Sequence, residues 1–376
     1  MAPRTKHAQL SAPEFGPIAD TSTIVVVCPI AHAQFNRSDP HVWGRFDETL
    51  VDLRANQPFK IRGSFYHSGD TFKTSVTKAT KRDLTLCGLK PKLPGLDISY
   101  SLLRCSADLE FPGSRQMPME HFPQPQIGPP HISYFSEIDA WRHWNRFLPD
   151  DLDVDIKTFL LSICIASGGS VYPREARWTV GGQKVDHKTE SINPVADAVE
   201  FLAENGLRMQ SSLAVATTHR WVCRRNGIFH GYSDDAASRA LNLFTRLFTN
   251  VHREDELGNL VWALAGIEAL LVQGGRSSIG QLQEKLLAIF NGRVDQRWLF
   301  DSIKRTYDFR SRMVHGDRQV RSFFRNWEDD SEKRFEEEYD SERFAVGILV
   351  YLLRMLVEND GAEFKFETKL KTPTPS

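Results

Sequence analysis

The chain has 376 residues, 41% hydrophobic and 25% charged, the balance of an ordinary globular protein with room for more than one core. Its 47 Lys and Arg nearly cancel its 48 Asp and Glu, leaving a formal net charge of −1. That excludes a chain-wide basic field for nucleic acid and a solvating acidic composition, so any polyanion has to meet a local patch. Five cysteines, Cys28, Cys87, Cys105, Cys164 and Cys223, form no CxxC pair, which argues against a zinc site or a disulfide framework and for a reducing, cytoplasmic compartment. No metal or cofactor is expected.

In chain order, residues 1–20 are polar and Pro-bearing and read as a loose arm. Met1 to Pro13 has no apolar stretch, and the apolar run Ile24 to Ile30 is too short to cross a bilayer, so no membrane partner is expected. Over 21–111 the texture is β-rich. Ile24 to Val27, Phe59 to Arg62, Ser64 to Tyr66, Phe72 to Val76, Leu84 to Leu86 and Ser99 to Cys105 are short runs parted by Gly, Pro, Asn and Asp. This reads as a small β or α+β domain with no motif that names its role. Residues 112–135 form a linker, because Pro112, Pro118, Pro123, Pro125, Pro129 and Pro130 remove backbone donors and favour extended chain.

Beyond the linker the period becomes helical. In the mostly helical segment 136–232, Ile156 to Ala166, Val195 to Asn205 and Leu213 to Arg225 recur at helix spacing, while Gly168-Gly169 and Gly181-Gly182 bracket a loop or hairpin. Over 233–360 five helices are expected, at Ala236 to His252, Leu257 to Val272, Ile279 to Phe290, Asp295 to Val314 and Ser341 to Val357, each with an apolar face and a short connector. Gly274-Gly275 and Gly292 are expected helix stops, and Ser277 or Ser278 an N-cap. The tail 361–376 is expected to be disordered. The fold class is thus α+β, with an N-terminal β-rich part, a Pro-rich linker and a C-terminal all-α bundle.

The fourth helix of the bundle ends Tyr307-Asp308-Phe309-Arg310-Ser311-Arg312-Met313-Val314-His315-Gly316-Asp317. Leu299, Ile303, Thr306 or Tyr307, and Met313 or Val314 supply its buried stripe, and Gly316 offers the left-handed position that ends helices, leaving His315 in the last turn. Cleaving RNA without a metal requires a group that moves a proton off the 2′-hydroxyl or onto the leaving oxygen, and a cation that holds the charge building on the phosphorane. Histidine titrates near neutral pH and suits the first task, and the fork-shaped guanidinium suits the second. An Arg with four to six residues between it and a following His also occurs at Arg62/His67, Arg115/His121, Arg224 or Arg225/His230 and Arg246/His252, so spacing alone does not single out Arg310/His315. The first two lie in β and proline-rich texture; Arg225/His230 is the serious rival, weakened by Gly227 between them.

The surroundings of Arg310 and His315 do single them out. Tyr307 to Gly316, preceded on an earlier helix by Leu260-Val261-Trp262-Ala263-Leu264-Ala265-Gly266-Ile267-Glu268-Ala269-Leu270-Leu271, resembles the Apea-like branch of the HEPN superfamily over about Ser233 to Glu358. The resemblance implies a four- or five-helix bundle that dimerises so that two Arg-x(4–6)-His motifs face each other in a composite ribonuclease site, a hydrolase of antiviral defence or toxin action. It implies that Arg310 stabilises the transition-state phosphate, that His315 is the acid or base, and that Ser311 takes the polar position after the arginine. Glu268 is either a buried partner of Arg310 or a rim residue, and Asp308 pairs with Arg312 at i, i+4 or supports the site. Trp262, Trp298, Phe300 and Phe309 are expected in the core. Arg318, Arg321 and Arg325, with Phe323-Phe324 among them, form a candidate RNA-backbone track or a solvated loop.

The function expected is a metal-independent endoribonuclease acting on RNA as a homodimer, with an N-terminal region that senses, positions or takes a regulatory partner. The alternative is a non-catalytic dimerisation or RNA- and nucleotide-binding module, because a fold does not guarantee a chemistry. A third reading places an unrecognised activity in the N-terminal half, with the bundle as its regulator.

Overall fold

The computed structural model describes residues 21–32, 40–55, 59–60, 71–78, 80, 85, 100–110, 153–173, 175–180, 183–189, 195–225, 233–247, 256–272, 278–317 and 332–366. The expected arm, the proline-rich stretch, the strand at Ser64 to Tyr66, the stop at Gly274-Gly275, the basic run Arg318, Arg321 and Arg325, and most of the tail lie outside them. The described chain is mixed helix and strand, mostly helical. Its elements are β1 (Thr21–His32), α1 (Pro40–Ala55), β2 (Phe59–Lys60), β3 (Thr71–Lys78), β4 (Tyr100–Glu110), α2 (153–167), β5 (Val171–Pro173), β6 (Ala176–Val180), β7 (Gln183–Thr189), α3 (Ala196–Glu204), α4 (Val215–Cys223), α5 (Ala236–Thr245), α6 (Glu256–Leu271), α7 (Ser278–Ile289), α8 (Gln296–Val314) and α9 (Glu332–Glu358).

The strands form one antiparallel sheet in the order β2-β3-β4-β1-β6-β7, with β5 also pairing with β1. In β1 the period of two is explicit: Val26, Cys28 and Ile30 are buried and Val25 and Val27 only half-buried. The register sets Cys28 opposite Leu103, and Val26 opposite Cys105 on one side and Trp178 on the other, so one face carries a continuous apolar row. Strands from both sides of the proline-rich stretch therefore share this sheet: β5 to β7 fall within the segment expected to be mostly helical, and β6 pairs with β7, the intervening Gly181-Gly182 lying outside the described residues. A buried polar chain fastens it to α2, Trp178 Nε1 donating to Thr189 Oγ1 (2.9 Å) and Thr189 Oγ1 to Asp153 Oδ1 (2.6 Å).

Helix α1 corrects the expectation of β texture throughout 21–111. Pro40 opens it at the first helical position, where the missing N–H costs nothing, and Phe46, Leu50 and Leu53 bury one face at i, i+4 and i+7. Gly44 and the exposed Val51 blur its period and hid it.

Helix α9 is the centre of the helical part, packing against α3, α6 and α8. Phe344, Ala345, Val346, Ile348, Leu349, Val350, Leu352, Leu353, Leu356 and Val357 are all buried, as in a helix surrounded by others. It begins at Glu332 rather than Ser341, because the acidic run before Ser341 has no apolar face for periodicity to detect. Close approach of α3 depends on Gly347, where a Cβ would stand 2.7 Å from the Ala198 carbonyl oxygen. The other expected helices lie within a few residues of their reading, except that α5 stops at Thr245; His252 is outside the described residues.

Candidate functional site

The site is carried by α8. Asp295 caps its start, accepting from Arg297 N at 2.7 Å and Trp298 N at 2.9 Å, so two of the orphan amides of the first turn are satisfied. Trp298 wedges the helix against the core, edge-on to Phe344 at 5.8 Å and tilted on Phe201 at 6.4 Å. Leu299, Ser302, Ile303, Thr306 and Phe309 form the buried stripe. The stripe was expected to end on Met313 or Val314; Met313 is half-buried, but Val314 is 57% exposed.

The helix ends as the sequence predicts. Gly316 has φ +79. Its N–H donates to the Met313 carbonyl at 3.3 Å and that of Asp317 to the Arg312 carbonyl at 2.9 Å, which is the paired-bond arrangement of a Schellman cap with His315 as C-cap residue. Backbone amides thus do the capping. The imidazole of His315 is exposed and makes no hydrogen bond among the described residues.

Arg310 lies seven residues after Ile303, nearly on the same helix face, and is half-buried at the edge of the stripe. No hydrogen bond or ion pair engages its guanidinium among the described residues. Because α8 is regular through Val314, Arg310 and His315 point roughly 140° apart around the axis and are separated by about 7.5 Å along it. One chain does not bring the two together.

Of the supporting residues, Ser311 is half-buried and its carbonyl accepts from His315 N at 3.0 Å. Asp308 and Arg312 form no ion pair with each other: Asp308 is half-buried, Arg312 is exposed, and an i, i+4 pair in water gains only about 0.3–0.5 kcal/mol, too little to hold two long side chains in place. Glu268, half-buried on α6, makes no ion pair with Arg310. Phe309 is core, and Trp298 packs against the core, as expected, whereas Trp262 and Phe300 are 37% and 40% exposed. Arg246, of another candidate pair, lies over the Trp262 ring at 4.8 Å.

The rival pair is weaker. Arg225 is buried, pairs with Asp235 at 3.3 Å, donates to the Gly361 carbonyl and lies over the Trp221 ring at 4.9 Å. It clamps α4 to the start of α5 and the end of α9, and His230 lies outside the described residues. His67 and His121 do as well.

Two buried polar groups escaped sequence reasoning. Ser162 on α2 and His219 and Cys223 on α4 form a cluster: Ser162 Oγ donates to the Thr158 carbonyl (2.7 Å) and meets His219 Nδ1 at 3.2 Å, while Cys223 Sγ stands 3.5 Å from Nε2. Ser162 has given its proton to Thr158, so it accepts from Nδ1–H, and Nε2 is left to take the thiol proton. Burial pushes the His219 pKa down to about 4, so this imidazole is neutral and ties α2 to α4. The second group is Arg45 and Arg354, which hold the turn between α3 and α4. The signal for Arg354 was present, a lone charge in the otherwise apolar run 344–357. Among the described residues no group of three or more His, Cys, Asp and Glu is placed to hold a metal ion, and no helix is long and apolar enough to cross a membrane. Cys28, Cys105, Cys164 and Cys223 are buried, and no disulfide joins them. Comparison with protein families, curated proteins and solved structures finds no significant match to this chain.

Proposed function

We propose that the chain is a cytoplasmic, metal-independent endoribonuclease of HEPN type that works as a homodimer, Arg310 of one subunit and His315 of the other meeting on one scissile phosphate. The observation that carries this reading is the end of α8: amides of Gly316 and Asp317 cap the helix, leaving the His315 imidazole exposed and uncommitted among the described residues. A histidine serving as a simple cap would spend its ring on the last carbonyls. Here the ring is left at the helix end for donation of a proton to a leaving 5′-oxygen. Water takes the proton of the 2′-hydroxyl as its oxygen attacks phosphorus, and the guanidinium of Arg310 holds the charge on the phosphorane oxygens. The products are a 2′,3′-cyclic phosphate and a 5′-hydroxyl. Arg318, Arg321 and Arg325 follow directly after this helix end in the chain and would track the RNA backbone. Phage defence or toxin action, with the N-terminal region as sensor or docking site for a regulator, is the setting that the resemblance implies.

The splay of the two side chains on one helix favours the second reading, a non-catalytic dimerisation or RNA- and nucleotide-binding module. RNA digestion separates the two. Wild type is expected to cleave in excess EDTA and to leave a substrate with 2′-deoxy linkages intact, and His315→Ala to lose cleavage while staying folded. Activity abolished by chelation and restored by Mg²⁺ or Mn²⁺, or undiminished in His315→Ala, defeats the mechanism.

A further inference from the structure

The turn between α3 and α4 and the C-terminal half of α9 enclose a cavity of about 540 Å³ lined by Arg208, Arg293, Arg354 and Glu358 among its charged groups. Small-molecule sites span about 300–1,000 Å³. Three cations face one carboxylate here. Arg208 and Arg293 are exposed, and neither guanidinium makes a hydrogen bond or ion pair among the described residues. Arg354 is only 4% exposed. Its Nη1 donates to the Ile165 carbonyl at 2.8 Å and to that of Ala166, and its Nη2 to the Ser211 carbonyl at 2.6 Å. These bonds all go to main-chain oxygens, and no bonded carboxylate among the described residues neutralises the charge. Three of five N–H groups are used, so two remain for a ligand.

Arg45 adds a second positive charge behind Arg354, donating to the Ser167 carbonyl at 3.2 Å and the Met209 carbonyl at 2.5 Å. Burial first, and then the Arg45 charge, lower the Arg354 pKa to about 10, with Glu358, Tyr351 and Glu48 pulling the other way. Two like charges at one poorly solvated spot are the arrangement that an entering anion relieves. Tyr351 and Met355, one turn apart on the face of α9 that also carries Arg354, give the lining its apolar part, with Tyr351 held edge-on by Phe290 at 5.2 Å.

We infer that this cavity binds a phosphorylated small molecule of nucleotide size, its phosphates held by Arg208, Arg293 and Arg354 and its base laid on Tyr351 and Met355. Arg293 stands just before the N-cap of α8 and His315 at the far end of that helix, about 28 Å away by the helical rise. The site is thus distinct from the proposed ribonuclease centre, and the inference does not depend on that activity.

The test is direct binding to the full chain by calorimetry. ADP, GDP, CDP and UDP are titrated separately, beside adenosine and inorganic pyrophosphate. At least one nucleoside diphosphate is expected to bind saturably and at least about tenfold more tightly than either adenosine or pyrophosphate. Arg208→Ala with Arg293→Ala removes two exposed, unbonded side chains and leaves Arg354 in place; it is expected to weaken that binding by at least about tenfold with an unchanged circular dichroism spectrum. Absence of saturable binding by all four diphosphates at about 1 mM overturns the inference. So does equal affinity in the double variant, and so does pyrophosphate binding as tightly as the best nucleotide.

Discussion

At the scale of single residues, the proposed mechanism gives Arg310 and His315 different jobs, so the two are expected to fail differently. If Arg310 acts by holding developing charge, Arg310→Lys keeps the charge but loses the planar fork and retains partial activity, whereas Arg310→Ala falls by on the order of 10²–10³ in kcat. His315→Lys supplies a cation that does not titrate near neutral pH, so it is expected to be as inactive as His315→Ala. Both variants should melt close to wild type, because truncating an exposed residue at a helix end costs at most about 1 kcal/mol. A His315→Ala protein that unfolds returns the residue to a structural role. His219 makes the opposite case. Its folded pKa of about 4 lies below the ordinary 6.5, so between those values the unfolded chain binds the extra proton. Stability is full above about pH 6.5 and is lost as pH falls toward 4, by on the order of 3 kcal/mol. Urea midpoints at pH 7 and 4.5 measure this, and His219→Asn is expected to show a shallower dependence; identical slopes in the two proteins would remove His219 as the cause.

At the scale of elements, glycines separate two kinds of constraint. Gly316 has φ +79 and open space where a Cβ would go, so Gly316→Ala costs only the left-handed backbone, about 1–2 kcal/mol. Gly347 is helical, but its Cβ would stand 2.7 Å from the Ala198 carbonyl oxygen and 2.8 Å from Leu202. Gly347→Ala must therefore push α3 off α9, at about 1–3 kcal/mol or more. Gly266 meets only the movable side chain of Leu349. Chemical denaturation is expected to rank Gly347→Ala as more destabilising than Gly266→Ala, and the reverse order would mean that the α6–α9 contact is the tighter one. These elements also show what a single sequence reveals. Helix α8 was legible from cap to cap, because Asp295, the stripe from Leu299 to Phe309 and Gly316 each signal locally. The start of α9 and the whole of α1 were not: the first is acidic without an apolar face, and the second carries Gly44 and Val51 against its own period. Strands β5 and β6 stayed hidden because both pair with β1, nearly 150 residues earlier by the numbering of their register, and a long-range pairing leaves no mark on local spacing. For the candidate site, residue types and helix position could be read, but the uncommitted state of the imidazole depends on which amides cap the helix, and the exposure of Trp262 and Phe300 on packing that composition does not encode.

At the scale of the whole molecule, the geometry of α8 sets a condition on assembly. A regular helix holds Arg310 and His315 roughly 140° apart, so a single subunit presents either the cation or the proton donor to a given phosphate. Two subunits related by a two-fold axis repair this, each supplying one residue to each of two equivalent sites. The chain is therefore expected to sediment as a dimer, and the sharper experiment mixes two inactive proteins. Arg310→Ala retains His315, and His315→Ala retains Arg310. In a mixed dimer of the two, one composite site contains both intact residues and the other contains neither. Random reassortment at equal concentrations makes half of the dimers mixed, each with one working site of two, so activity is expected to return to about a quarter of wild type. Mixing is expected to restore nothing if both residues act from the same subunit, because every Arg–His set would then carry one lesion. An inactive mixture whose subunits are shown by tagged co-purification to have exchanged would thus refute the composite site, and it would do so without any assumption about the RNA sequence cleaved.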